Sequence, residues 1–137
     1  MLSIGEMSRR TGVKIPTIRF YEQKGLLPAP DRTAGNQRRY DRAALNRLAF
    51  IRHARDLGLP LEDVAALISL EGASGAALNR AHDIARRQKL RLGERIAQLQ
   101  RLEAELGRIA TACDGQHGHV CAVLHAFGDH TNCARDH

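Results

Sequence analysis

The chain has 137 residues with a formal net charge of +6, 43% hydrophobic residues, no Trp, three Phe and two Tyr, which is enough for one modest domain or a small domain with an extension. No apolar run approaches the ~20 residues that a membrane span needs, and no secretory leader precedes the first predicted helix. A cytoplasmic protein with reduced thiols is therefore expected, in which clustered cysteines point to metal or redox chemistry more than to disulfides. Charge is unevenly placed: residues 1–55 hold twelve Lys and Arg against four Asp and Glu, whereas residues 56–137 hold nine against eleven. A basic first part joined to a near-neutral remainder predicts a polyanionic partner, nucleic acid above all.

In chain order, Ser3 and Glu6 have capping-box spacing and open a helix that Gly12 stops. Pro16 suits the first turn of a second helix, IPTIRFYEQKG, ended by Gly25. Two short helices with a tight connection outline a helix-turn-helix. The stretch LLPAPDRTAGNQRRY, with two prolines and Gly-Asn, reads as a loop carrying a short hairpin. Asp41 caps a third helix ending near Gly58, and Pro60 with Glu62 and Asp63 begins a fourth. EGASG (71–75) is a break.

From about Ala76 to Ala112 the text has no Pro and carries a seven-residue apolar repeat. Leu78, Ala85, Leu92, Leu99, Leu106 and Cys113 share one heptad position; Ala81, Gln88, Arg95, Leu102 and Ile109 share the other. The stripe is firm from Leu92 onward and diluted before it. A helix of this length spans ~50 Å and cannot bury its seam against four short helices, so a coiled-coil homodimer is expected. The fold class is mainly α: a winged helix-turn-helix with connecting helices over residues 1–70, an antiparallel coiled-coil dimerisation helix over 76–112, and a Cys/His-rich effector loop and tail over 113–137.

Three basic groups are candidates for DNA contact. Lys14, Thr17, Arg19, Phe20 and Tyr21 cluster on and before the second helix. Arg32, Arg38, Arg39 and Tyr40 lie in the hairpin, and Arg52 and Arg55 on the third helix. Arg19 suits bidentate bonds to guanine or phosphate, while Thr17 and Tyr21 suit phosphate oxygens. One of the adjacent pair Phe20 and Tyr21 is expected in the core.

The string SIGEMSRRTGVKIPTIRFYEQKGLLP, then Arg32, Arg38 and Tyr40 as R-x5-R-x-Y, and FIRHARDLGLPLEDV, closely resembles the MerR family of bacterial transcription regulators. The resemblance covers almost the whole chain. It departs at Gln37, where the family usually has an aromatic, and at Arg39, which replaces a less polar residue. It implies a homodimer on a palindromic operator within double-stranded promoter DNA, whose spacer is longer than RNA polymerase prefers. Effector binding would change the angle between the two DNA-binding lobes and realign the promoter elements. The bend involved costs of order 1–6 kcal/mol, and differential effector affinity for the two dimer states must supply the bias.

All three cysteines and five of the seven histidines fall in residues 113–137. Cys113 and Cys121 flank DGQHGHV, a loop with two glycines. In the metal-sensing branch that the chain resembles, two cysteines at similar positions hold the effector ion, and the Cys-x7-Cys spacing is similar to the copper(I)-type loop. Two thiolates alone favour a soft monovalent ion such as Cu(I). His117 and His119 within the loop suit a zinc-like divalent ion, which prefers four N/S ligands. Divalent sensors of the family add a cysteine from the partner's long helix, aligned here with Leu78; His82, one turn on, is the candidate substitute, against its reading as an exposed helical residue. Cys133, His130 and His137 read as a tail, and His125, on the short helix AVLHAFG, as packing. The implied function is regulation of a metal export or detoxification promoter. A redox or small-ligand sensor on the same scaffold is the alternative, but three widely spaced cysteines do not suit an iron–sulfur cluster. A metal buffer without regulatory role leaves the basic segment unexplained. No plausible acid/base carboxylate stands at a fixed distance on a rigid element to serve a catalytic zinc in the His/Cys loop, Asp114 and Asp129 being loop residues beside glycine, so no enzyme is expected.

Overall fold

Ser3 starts the first helix as the sequence predicts. Its hydroxyl accepts from the Glu6 N–H at 3.2 Å, and the Glu6 carboxylate reaches back to the Ser3 N–H, closing the capping box of α1 (Ile4–Thr11). Those bonds hold the Glu6 carboxyl below its ordinary range. Gly12, at φ +75°, ends the helix, and a Cβ there would lie 2.6 Å from a guanidinium nitrogen of Arg52. The left-handed backbone favours glycine here, and a larger residue would also displace the end of the Arg52 side chain. The second helix, α2 (Ile15–Gln23), follows with Pro16 in its first turn.

The computed structural model describes residues 1–112 and 122–128. After α2 the chain forms an antiparallel hairpin, β1 (Asp31–Arg32) with β2 (Arg38–Arg39), in which Asp31 faces Arg39 and Arg32 faces Arg38. Leu2 bridges to Tyr40 through backbone bonds of 2.7 and 2.8 Å, tying the start of the chain to the end of the wing. Helix α3 (Arg42–Asp56), capped by Asp41, and α4 (Leu61–Ser69) complete the helical layer. A 3-10 turn (Gly75–Leu78) leads into α5 (Asn79–Ala112), which runs unbroken through Gly93 and Gly107; α6 (Ala122–Gly128) lies beyond.

The chain divides into two compact units, Met1–Gln88 and Lys89–His137. The core of the first joins Met7, Ile18, Leu27, Leu48, Ile51 and Val64 to Ile84, all at most 2% exposed. The first turns of α5 thus belong to this core, which explains why the heptad stripe is diluted there. The buried positions are Ile84 and Gln88, while Ala85 is exposed and Ala81 half-buried. Gln88, counted at sequence level in the intermolecular seam, bonds within its own chain. From Leu92 onward the stripe is open: Leu92, Ile96, Leu99 and Leu106 are 46–56% exposed. In the second unit, the α6 residue that packs is Ala126; His125, expected to pack, is exposed because the helix turns that face outward.

Ile84 is the apolar root of α5. Replacing it with Ala should destabilise the protein by about 2–5 kcal/mol, the usual cost of emptying a closed core site. Urea unfolding followed by circular dichroism measures this, and a loss below about 1 kcal/mol would contradict the packing.

Candidate nucleic-acid interface

Helix α2 separates its side chains by face. Ile18 and Tyr21 are buried, while Arg19 and Phe20 point outward and Thr17 is half-buried. Of the adjacent aromatics, Tyr21 is the core residue. Phe20 stays 42% exposed beneath the Lys24 ammonium, which lies 5.6 Å from its ring centroid, a contact worth roughly 0.5–1 kcal/mol at such a site. Lys14, the residue before α2, is exposed. Neither Lys14 nor Arg19 has an ion pair among the described residues.

The wing is anchored to α2 through Glu22, a residue the sequence reading did not single out. Its carboxylate accepts from Arg38 Nε at 3.2 Å and from the Tyr40 hydroxyl. Tyr40 was expected among the DNA-contacting residues, but its ring is 1% exposed and belongs to the core. Burial, reinforced by the Glu22 carboxylate, raises the Tyr40 phenol well above its ordinary range. The signal that could have found this pairing is an acidic side chain set among the cations of a basic segment. At the hairpin tip Asn36 adopts φ +64°, and the exposed Arg32 donates to its carbonyl at 3.2 Å. Arg39 is half-buried and without an ion pair among the described residues.

On α3 the arginines hold the scaffold. Arg52 donates to the Thr11 carbonyl at the end of α1 (3.1 Å) and pairs with Asp56, while Arg55 donates to the Leu59 carbonyl at 2.8 Å. Each supplies a donor to carbonyls left open by a helix end or turn. Arg47 does likewise for Leu26 while pairing with Glu71. The cations singled out around α2, the wing and α3 therefore differ in what they do. Lys14, Arg19, Lys24 and Arg39 have no ion pair among the described residues, Arg32 bonds within its own hairpin, and Arg38, Arg47, Arg52 and Arg55 brace the fold.

Among the described residues no group of three or more His, Cys, Asp or Glu is placed to hold a metal ion. His82 is exposed on the second turn of α5. Cys113, His117, His119 and Cys121 lie outside the described residues. Among the described residues no helix is long and apolar enough to cross a membrane.

Residues 2–71 match the MerR HTH family regulatory protein model, and residues 45–109 the MerR DNA-binding model. The chain belongs to the MerR family. Relatives extend the match beyond the helix-turn-helix. The chain is 38% identical over 123 residues to a mercuric resistance operon regulatory protein of Pseudomonas fluorescens, covering 90% of this chain and 84% of that protein. It is 36% identical over 130 residues to the HTH-type transcriptional regulator ZntR of Escherichia coli K12, covering 93% and 92%. The crystal structure of the transcription regulator PbrR691 from Ralstonia metallidurans CH34, in complex with lead(II), superposes with a TM-score of 0.77 at 30% identity, covering 93% and 99%. As in other members of this family, α1 and α2 form the helix-turn-helix and β1–β2 the wing. These relatives are transcription regulators.

Two outcomes follow from this geometry. Tyr40 stays neutral in the folded state above the pH at which an unfolded tyrosine ionises, so stability is retained below about pH 10 and falls as pH rises past it. Tyr40→Phe should flatten that fall in urea titrations between pH 8 and 11, and an unchanged slope would contradict the burial. Arg52→Ala should lower stability by about 1–2 kcal/mol, the modest end for a charged bond because the side chain is 43% exposed. Arg19→Ala should leave the unfolding midpoint unchanged, and a loss equal to that of Arg52→Ala would contradict the division of cations.

Proposed function

We propose that the protein is a metal-responsive transcription regulator that works as a cytoplasmic homodimer on promoter DNA. In this reading Lys14, Thr17, Arg19, Phe20, Arg32 and Arg39 contact the duplex, with Arg38, Arg52 and Arg55 placed beside it. Ion binding distorts the promoter spacer so that RNA polymerase engages, and the genes controlled serve export or detoxification of the same ion. One observation carries the reading: over nine-tenths of its length the chain is similar to a mercuric resistance regulator and to a regulator crystallised with lead(II). In the sequence Cys113 comes directly after Ala112, the last residue of α5, and Cys121 directly before Ala122, the first of α6.

The donor set fits a thiophilic ion. Cys113 and Cys121 alone would offer two sulfurs, suited to Cu(I), and adding His117, His119 or the His82 of a second copy would make a mixed N/S set suited to a zinc-like divalent ion. Deprotonated thiolates are the ligating species, so affinity should rise with pH. The energy of the switch is the difference in ion affinity between the two dimer states. The exposed leucines of α5 support dimerisation, because a seam of that length left in water invites a partner.

Replacing both Cys113 and Cys121 with Ser should leave DNA affinity within about threefold while abolishing metal-induced transcription, since the basic surface is untouched. Arg19→Ala should weaken binding and flatten the salt dependence by about one unit of slope on duplexes that the wild type selects from a random pool. Normal induction by zinc and copper(I) in the double Ser variant would refute the metal switch, and an unchanged salt slope would refute the assignment of Arg19.

A further inference from the structure

Gln88 is the one buried polar side chain of the described core. It occupies the d-type register of α5, where leucine or isoleucine stands at Leu102 and Ile109. Only 8% exposed, it directs its amide Nε2 at the Leu57 carbonyl, 2.9 Å away. Leu57 is the C-cap of α3, so the carbonyl belongs to the orphaned, negatively polarised end of that helix. Gly58 takes φ +84°, which the turn from α3 to α4 requires, and its open side faces the amide: a Cβ there would stand 2.8 Å from Gln88 Nε2 and push that group aside. Gln88 is also the last residue of the first compact unit, beyond which α5 continues as an unbroken helix.

We propose that Gln88 is the positioning residue that couples α5 to the DNA-binding unit. Its amide–carbonyl bond makes α3, with Arg52 and Arg55, follow a rotation of the long helix instead of slipping against it. Ile84 supplies non-directional burial one turn earlier, which resists separation but not rotation. The hydrogen bond is directional and fixes the register. The regulatory part of this inference rests on the metal-responsive reading above; the contact itself does not.

The test compares wild type with Gln88→Met, which keeps length and loses the donor, and Gln88→Lys, which restores a donor that the C-terminal end of α3 favours. Gln88→Asn, which keeps the amide but shortens its reach, substitutes if the Met variant fails to fold. Two readouts are taken on the full-length protein. In hydrogen exchange, the amides of Leu57, Gly58 and Leu59 should exchange at least about fivefold faster in the Met variant and return toward wild type in the Lys variant. With 2-aminopurine at the centre of a duplex selected by the wild type, added zinc or copper(I) should change the fluorescence of the wild-type complex. The Met variant should lose most of that response while its DNA affinity stays within about threefold, since no phosphate-facing cation is altered. Unchanged exchange at residues 57–59, or a full metal response in the Met variant, would overturn the coupling role. A wild type that responds to neither ion would instead sink the metal-responsive reading, leaving the exchange comparison to decide the contact.

Discussion

Ile84 and Gln88 bury the first turns of α5 in the DNA-binding unit, and along Leu92, Leu99 and Leu106 no comparable burial follows. Most helical stability in proteins comes from packing an apolar face. An α5 of 34 residues therefore has two requirements that fall on different parts of its length. Its root is satisfied inside its own chain, and its open seam is satisfied, in the proposed assembly, by a second copy. In that proposed assembly a single helix serves both its own chain and the second copy.

The basic surface shows a similar economy. The cations around α2, the wing and α3 look equivalent in sequence, yet several are committed to carbonyls and carboxylates of the fold. Arg52 ties the end of α1 to α3, and Glu22 binds Arg38 and Tyr40 and so ties the wing to α2. Surface ion pairs contribute little to stability on their own. Their value here is positional, because unpaired charges such as Lys14 and Arg19 can match a duplex only if the elements carrying them are fixed relative to one another.

Much of this was legible in the sequence, for physical reasons. Ser3, Glu6, Gly12, Pro16, Asp41 and Gly58 are local punctuation whose effect does not depend on distant neighbours, so the helices they bound were read correctly. From Leu92 on, the leucines of the heptad stripe lie open in the single chain, as a seam awaiting a partner would. The stripe misled where tertiary packing overrides the register: Ile84, off the repeat, is the residue that packs, and Gln88 turns inward to its own chain. Tyr40 was misassigned because an aromatic beside two arginines looks like a phosphate contact until Leu2 and Glu22, distant in sequence, are brought against it. The bracing roles of Arg52 and Arg55 were invisible for the same reason, since the carbonyls they cap are known only once the chain has folded.

Sedimentation equilibrium of the reduced, metal-free protein at micromolar concentration addresses the open seam most directly. A species of twice the 15.1 kDa chain mass, dissociating when Leu99 and Leu106 are replaced with Ser, is the predicted result. A monomer of single-chain mass with α5 fully helical would contradict the account, because that seam would then stand in water without a partner.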